Sequence, residues 1–233
     1  MRSLRRLHFL ARFAVIAVLL AAAMPLRADE LASLLQRIEA TYGAVDHAIA
    51  IRQSGRTASR LRGEGTMERL WAAPDRFRIR LDYPSGSEVR TMAAGRAWQG
   101  SVDKSGPFLQ AMQLQAARSR LPWNLLATEG VTLLGSRVAE NGGTVHTLVL
   151  ALESPLRLLV EVDDVTAHVL RSIGTGIGDM QFITEYSDFR RIGGHLVATR
   201  EEHYAMGRHI GHSIIEQLDF PAEPGDAAFL PPR

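Results

Sequence analysis

The chain has 233 residues, with 27 basic and 25 acidic side chains, eight histidines and no cysteine. The missing cysteine excludes a disulfide framework, thiolate catalysis and cysteine-ligated metal, and removes the acylation site that a bacterial lipoprotein needs. The near balance of charge, with no basic run interleaved with aromatic residues, gives no support to nucleic-acid binding.

In the first 28 residues, Arg2, Arg5, Arg6 and Arg12 precede an uncharged run from Phe13 to Met24, and Pro25-Leu26-Arg27-Ala28 follows. That is the layout of a secretory signal peptide. The run is shorter than the ~20 residues of a spanning helix. The expectation is cleavage after Ala28, with an uncleaved anchor as the alternative. Loss of the signal arginines leaves acids in excess. Residues 29–233 then form a single exported domain, long enough to bury a core without staples.

Leu31, Leu34, Leu35, Ile38 and Tyr42 form one apolar stripe, so the domain opens with a helix stopped at Gly43. The period then changes to two. From Asp75 to Tyr83, Phe77, Ile79, Leu81 and Tyr83 share one face, while Arg76, Arg78, Arg80 and Asp82 share the other. Pro84-Ser85-Gly86-Ser87 is a turn, Glu88–Met92 the returning strand, and Gly95–Gly100 with Trp98 the next. Further alternating runs cover 131–139, 144–152, 156–162, 167–173, 180–190, 195–206 and 209–220, with hairpin turns at Asn141-Gly142-Gly143 and Gly207-Arg208. No βαβ alternation occurs, so the sheet is antiparallel. Between Phe108 and Ala127, Leu109, Met112, Ala116, Trp123, Leu125 and Leu126 fall at helical spacing. Pro107 suits a first turn and Pro122 divides the segment, which reads as one or two helices inserted in the sheet.

The chemistry-bearing residues are sparse. Gly174-Thr-Gly-Ile-Gly178 lacks the G-x-G-x-x-G spacing and a following helix, so it reads as a connection between strands. His203, His209 and His212, with Glu201 and Glu202, are the most metal-like cluster. A two-residue turn at Gly207-Arg208 would set His203 opposite His212. Two imidazoles fall short of the three or four ligands of a zinc site, and no metal or other cofactor is expected. Ser154, Ser172 and Ser213 lie in no nucleophile setting, and no catalytic constellation is found, which points away from an enzyme.

Several short motifs, taken in order, resemble the periplasmic outer-membrane lipoprotein carrier family, the LolA-like proteins. They are the N-terminal helix, Gly63-Glu64-Gly65, Pro74-Asp75-Arg76-Phe77, Gly95-Arg96-Ala97-Trp98, Leu121-Pro122-Trp123-Asn124-Leu125-Leu126 and Phe229-Leu230-Pro231-Pro232. The resemblance implies a mainly β fold: an incompletely closed, curved antiparallel barrel of about eleven strands, with an N-terminal helix and an inserted helical lid. It also implies periplasmic localisation, acylated lipoprotein or lipid cargo, an inner-membrane donor and an outer-membrane acceptor. A monomer is expected. One departure stands out. The family has an arginine just before the strand proline that ties the lid to the sheet; here that position is Ala73. The latch is absent or moved, with Arg69, Arg76 or Arg78 as substitutes.

The expected apolar ligand cavity uses Phe77, Ile79, Leu81, Tyr83 and Trp98 from the sheet and Leu109, Met112, Trp123 and Leu126 from the insert. The same residues could instead form a filled core. Two functions follow: a carrier of acyl chains between envelope membranes, or a non-catalytic sensor or scaffold that binds a protein through a sheet edge.

Overall fold

The computed structural model describes residues 28–45, 50–127 and 130–232. Residues 1–27 of the expected signal peptide lie outside these. Residues 28–42 form helix α1, whose stripe of Leu34, Ile38 and Tyr42 is buried. Six strands lead to the insert: β1 (Ala50–Ser59), β2 (Gly63–Ala72), β3 (Arg76–Tyr83), β4 (Gly86–Ala93), β5 (Arg96–Gln99) and β6 (Val102–Lys104). The insert is two helices, α2 (Pro107–Ser119) and α3 (Trp123–Ala127), divided at Pro122. Seven strands follow: β7 (Val131–Val138), β8 (Thr144–Ala151), β9 (Arg157–Asp163), β10 (Val169–Gly176), β11 (Gly178–Ile192), β12 (His195–Ala205) and β13 (Arg208–Asp219). A short 3-10 helix, Asp226–Phe229, lies near the C-terminus.

All thirteen strands form one sheet in the order β6-β5-β4-β3-β2-β1-β13-β12-β11-β10-β9-β8-β7. Every described pairing is antiparallel. The edges β6 and β7 do not pair with each other, so the barrel is open. Thirteen strands replace the expected eleven because two are hard to read. The inward positions of β1 include Gln53 and Thr57, which are buried but polar, and β6 has only three residues.

The sheet is strongly curved, as its contacts with α2 require. That helix packs against β5 and also against β9, nine places away in the strand order. Laid flat, those strands would be about 43 Å apart. A helix of 13 residues is only about 20 Å long. The sheet therefore curls around α2. The concave side holds two apolar clusters joined by that helix. Leu114 and Ala117 pack with α1 and the β7–β10 half, while Met112 and Ala116 pack with Met67, Phe77, Met92 and Ile215. Gln115 and Arg118, three residues apart on the same helix, are left at the seam between them. On the convex side Phe229 packs on Ala50 and Ala72, tying the C-terminal segment to β1 and β2.

Candidate functional site

The seam is a cavity of about 250 Å³. Its walls come from β1–β4 on one side and β11–β13 on the other, and α2 roofs it with Gln115 and Arg118. Met67, Ile79, Leu81 and Tyr83 make one apolar wall, and Phe182, Ile183 and Ile210 contribute to the other. Ile210 is 45% exposed, which marks the open side.

The floor is polar, and the register explains why. Thr57, Ser213, Glu201 and Tyr186 stand in one row across β1, β13, β12 and β11. Gly211, His203, Thr184 and Ser172 make the next row, across β13, β12, β11 and β10. Cross-strand neighbours share a face, so both rows point into the concavity. Arg69 of β2 reaches the same floor. It donates two hydrogen bonds of 2.9 Å to the Glu201 carboxylate, and both residues are buried. His203 Nε2 shares a 3.0 Å hydrogen bond with Ser213 Oγ, and Tyr186 Oη shares one of 2.8 Å with Ser172 Oγ.

Burial sets the protonation states. It pushes the Glu201 carboxyl up, but the charge and hydrogen bonds of Arg69 outweigh it and hold the group below the ordinary carboxylate range. Burial pulls His203 down to about 4 against the opposing charge of Glu201, with Arg69 and Arg118 acting in the same direction as burial. Burial and the Glu201 charge push Tyr186 up to about 12. At neutral pH the floor thus holds one ion pair, a neutral imidazole, a neutral phenol and the Arg118 guanidinium. Burial disfavours the charge on Arg118.

The arginines that tie the insert to the sheet are on the insert itself. Arg118 donates from Nε to Ser172 Oγ at 3.1 Å and from Nη2 to the Phe182 carbonyl at 2.6 Å. Arg120 lies over the Trp71 ring at 4.0 Å. The expected strand candidates are used elsewhere. Arg69 pairs with Glu201. Arg76 donates to the Ala73 carbonyl and pairs with Glu223 and Asp226 in the C-terminal segment. Arg78 reaches the Ala228 carbonyl at 3.5 Å. The contact between insert and sheet is thus made by a guanidinium of α2 reaching a hydroxyl and a carbonyl of the sheet.

Of the residues expected to line a cavity, the structure brings Ile79, Leu81 and Tyr83 to it. Phe77, Met112 and Trp123 are buried in the apolar cluster beside it, with Leu109 packed against that cluster. Leu126 packs against the other cluster. Trp98 pairs with Thr91 while its neighbour Ala97 pairs with Met92, so Trp98 is on the convex face and Ala97 on the concave one. The Trp123 indole donates to the Gly43 carbonyl at 3.2 Å and meets His195 and Phe220 edge-on.

The expected turn at Gly207-Arg208 is corrected by one residue. Ala205 pairs with Arg208, and the turn is Met206-Gly207, both with positive φ as a two-residue hairpin of this kind requires. A bulge beside Tyr204 then sets His203 opposite Gly211, not His212. A Cβ at Gly211 would sit 2.1 Å from the Ala58 carbonyl oxygen, so this close approach needs glycine. His209 instead bonds Glu202 at 2.6 Å. Among the described residues no three of His, Asp or Glu converge on a metal position. The glycine-rich segment 174–178 is not a separate connection: Gly174–Gly176 end β10, Gly178 opens β11, and Ile177 alone lies between the strands.

No family profile matches this sequence, and no curated protein matches it. Similarity lies in the fold. A LolA superfamily protein from Nitrosomonas europaea superposes with a TM-score of 0.58 at 14% identity, over 84% of this chain and 96% of that one. The fold is LolA-like. A domain from Vibrio parahaemolyticus, assigned provisionally to outer membrane lipoprotein sorting, gives 0.48 at 12% identity, over 84% and 94% of the two chains. A DUF1329 family protein from Desulfovibrio piger gives 0.45 at 13%, over 87% and 97%. At these identities the likeness concerns fold alone.

Proposed function

We propose that this protein is a non-enzymatic carrier that takes the acyl part of a lipoprotein or lipid between its curved sheet and α2 and moves it between envelope membranes. The observation that carries this reading is the cavity, with its apolar walls and open side, lying under a helix held to the floor by two hydrogen bonds of one arginine. Burying an acyl chain is worth ~0.8 kcal/mol per methylene, so even a short buried stretch gives affinity, while a cavity of this size keeps binding reversible. The LolA-like fold supports the same reading.

The setting is part of the same proposal. The protein acts in the periplasm as a monomer, without a cofactor, after cleavage behind Ala28. It receives cargo from an inner-membrane donor and yields it to an outer-membrane acceptor. Asp29 is then the N-terminus of the exported protein, which N-terminal sequencing checks. Native mass spectrometry of protein isolated from periplasm without detergent tests the carrier reading. Bound masses that fragment to acyl chains support it. Ligand-free protein that instead retains an envelope protein through a sheet edge supports the scaffold reading.

A further inference from the structure

The charges around the cavity do not balance. Arg69 and Glu201 neutralise each other through two hydrogen bonds. Arg90, in the wall towards β4, shares the Glu88 carboxylate with Arg62, at 2.6 and 2.8 Å. Arg118 has no carboxylate partner among the described residues; its hydrogen-bond acceptors are a serine hydroxyl and a backbone carbonyl, both neutral. His203 and Tyr186 are the remaining titratable groups on the floor, and both are uncharged at pH 7. The polar inner end of the cavity thus carries one guanidinium without a carboxylate partner. Such a charge is costly out of water unless an anion meets it. The same end holds unused polar capacity. Arg69 Nε is buried without an acceptor, and the Gln115 side-chain oxygen is buried without a donor. Since the two ends of an amide are interchangeable by a flip, Gln115 can offer either group to a ligand.

We propose that the cavity selects an amphiphile with one acyl chain and an anionic head, a carboxylate or a phosphate, with the head at Arg118 and the chain running out along Met67, Ile79 and Leu81. This rests on the carrier reading and adds a head-group specificity to it. One chain matches a volume of about 250 Å³, below the ~300–1,000 Å³ of ordinary ligand pockets. Charge-assisted hydrogen bonds to a guanidinium supply the preference for an anion.

The test is calorimetric titration of the whole exported protein with four twelve-carbon probes below their micelle concentrations: dodecanoate, dodecyl phosphate, methyl dodecanoate and dodecyltrimethylammonium. At least one anion binds about 10–100-fold tighter than the methyl ester, and the cation binds weakest. Tighter binding of dodecanoate identifies a free fatty acid as the source; tighter binding of dodecyl phosphate identifies a phosphate-headed lipid. In Arg118→Met the ratio of anion to ester affinity falls to near one. Methyl ester binding within twofold of both anions in the wild type overturns the head-group proposal while leaving the carrier reading intact. Failure of the ester and every other probe to bind overturns both. If Arg118→Met does not fold, the wild-type comparison decides alone.

Discussion

Arg69 of β2 and Glu201 of β12 hold each other through two hydrogen bonds of 2.9 Å, although β1 and β13 lie between their strands. Such a contact needs a sheet already curled, and once formed it braces that curl. The pair is both a consequence of the fold and a clamp on the width of the cavity.

Breaking the clamp on one side leaves a buried charge without a partner. Arg69→Met or Glu201→Leu is expected to destabilise the protein by about 3–5 kcal/mol. The double variant Arg69→Met/Glu201→Leu should recover most of that loss. Urea denaturation of the three variants measures the coupling. Additive losses would show that the pair does not act as a unit.

Acid should weaken the fold in two steps. His203 ordinarily takes a proton near 6.5 but in the folded protein only at about 4. Between those values the unfolded state binds more protons, so stability falls as pH drops from about 6.5 to about 4, by on the order of 3 kcal/mol. Glu201, held below its ordinary value, acts at lower pH: its stabilisation is present above the ordinary carboxylate range and lost as pH falls through its folded value. Denaturation midpoints of His203→Gln should fall less steeply than the wild type's over the upper window, the remainder coming from His168, which burial also holds below its ordinary value. A slope equal to the wild type's would assign the effect to other groups.

The lid should be loosened from its own side. Arg118→Met removes both hydrogen bonds from α2 to the floor, and Arg120→Gln removes the stacking on Trp71. Release of a neutral acyl probe, followed by stopped flow, should be about tenfold faster in Arg118→Met, in line with the ~1.5–3 kcal/mol of a hydrogen bond to a charged group. Unchanged release would mean that α2 does not move when cargo leaves.

The fold was legible where one face of a strand is apolar. Phe77, Ile79, Leu81 and Tyr83 alternate cleanly against Arg76, Arg78, Arg80 and Asp82, and the observed β3 ends at the expected Tyr83. The helical insert showed through its change of period and its two prolines. The cavity floor was not legible for the same physical reason reversed. In β12 the inward residues Thr199, Glu201 and His203 are as polar as the outward Arg200 and Glu202, so no alternation of hydropathy reports which face is which. A strand in the middle of a sheet that is polar on both faces was the available signal. The hairpin error was small in sequence and large in geometry. Met206 takes the positive φ that a glycine would be expected to supply, which moves the turn by one residue, and the bulge at Ile210 changes the partner of His203.

The central claim is that the cavity holds an acyl chain, and titration with a fluorescent fatty acid tests it most directly. Leu81→Arg places a charge in the apolar wall, and Val165→Arg, at an exposed turn position, is the control. The wild type and Val165→Arg should bind saturably at one site, and a folded Leu81→Arg at least about tenfold more weakly. Absence of saturable binding by the wild type, or equal binding by a folded Leu81→Arg, would contradict the account.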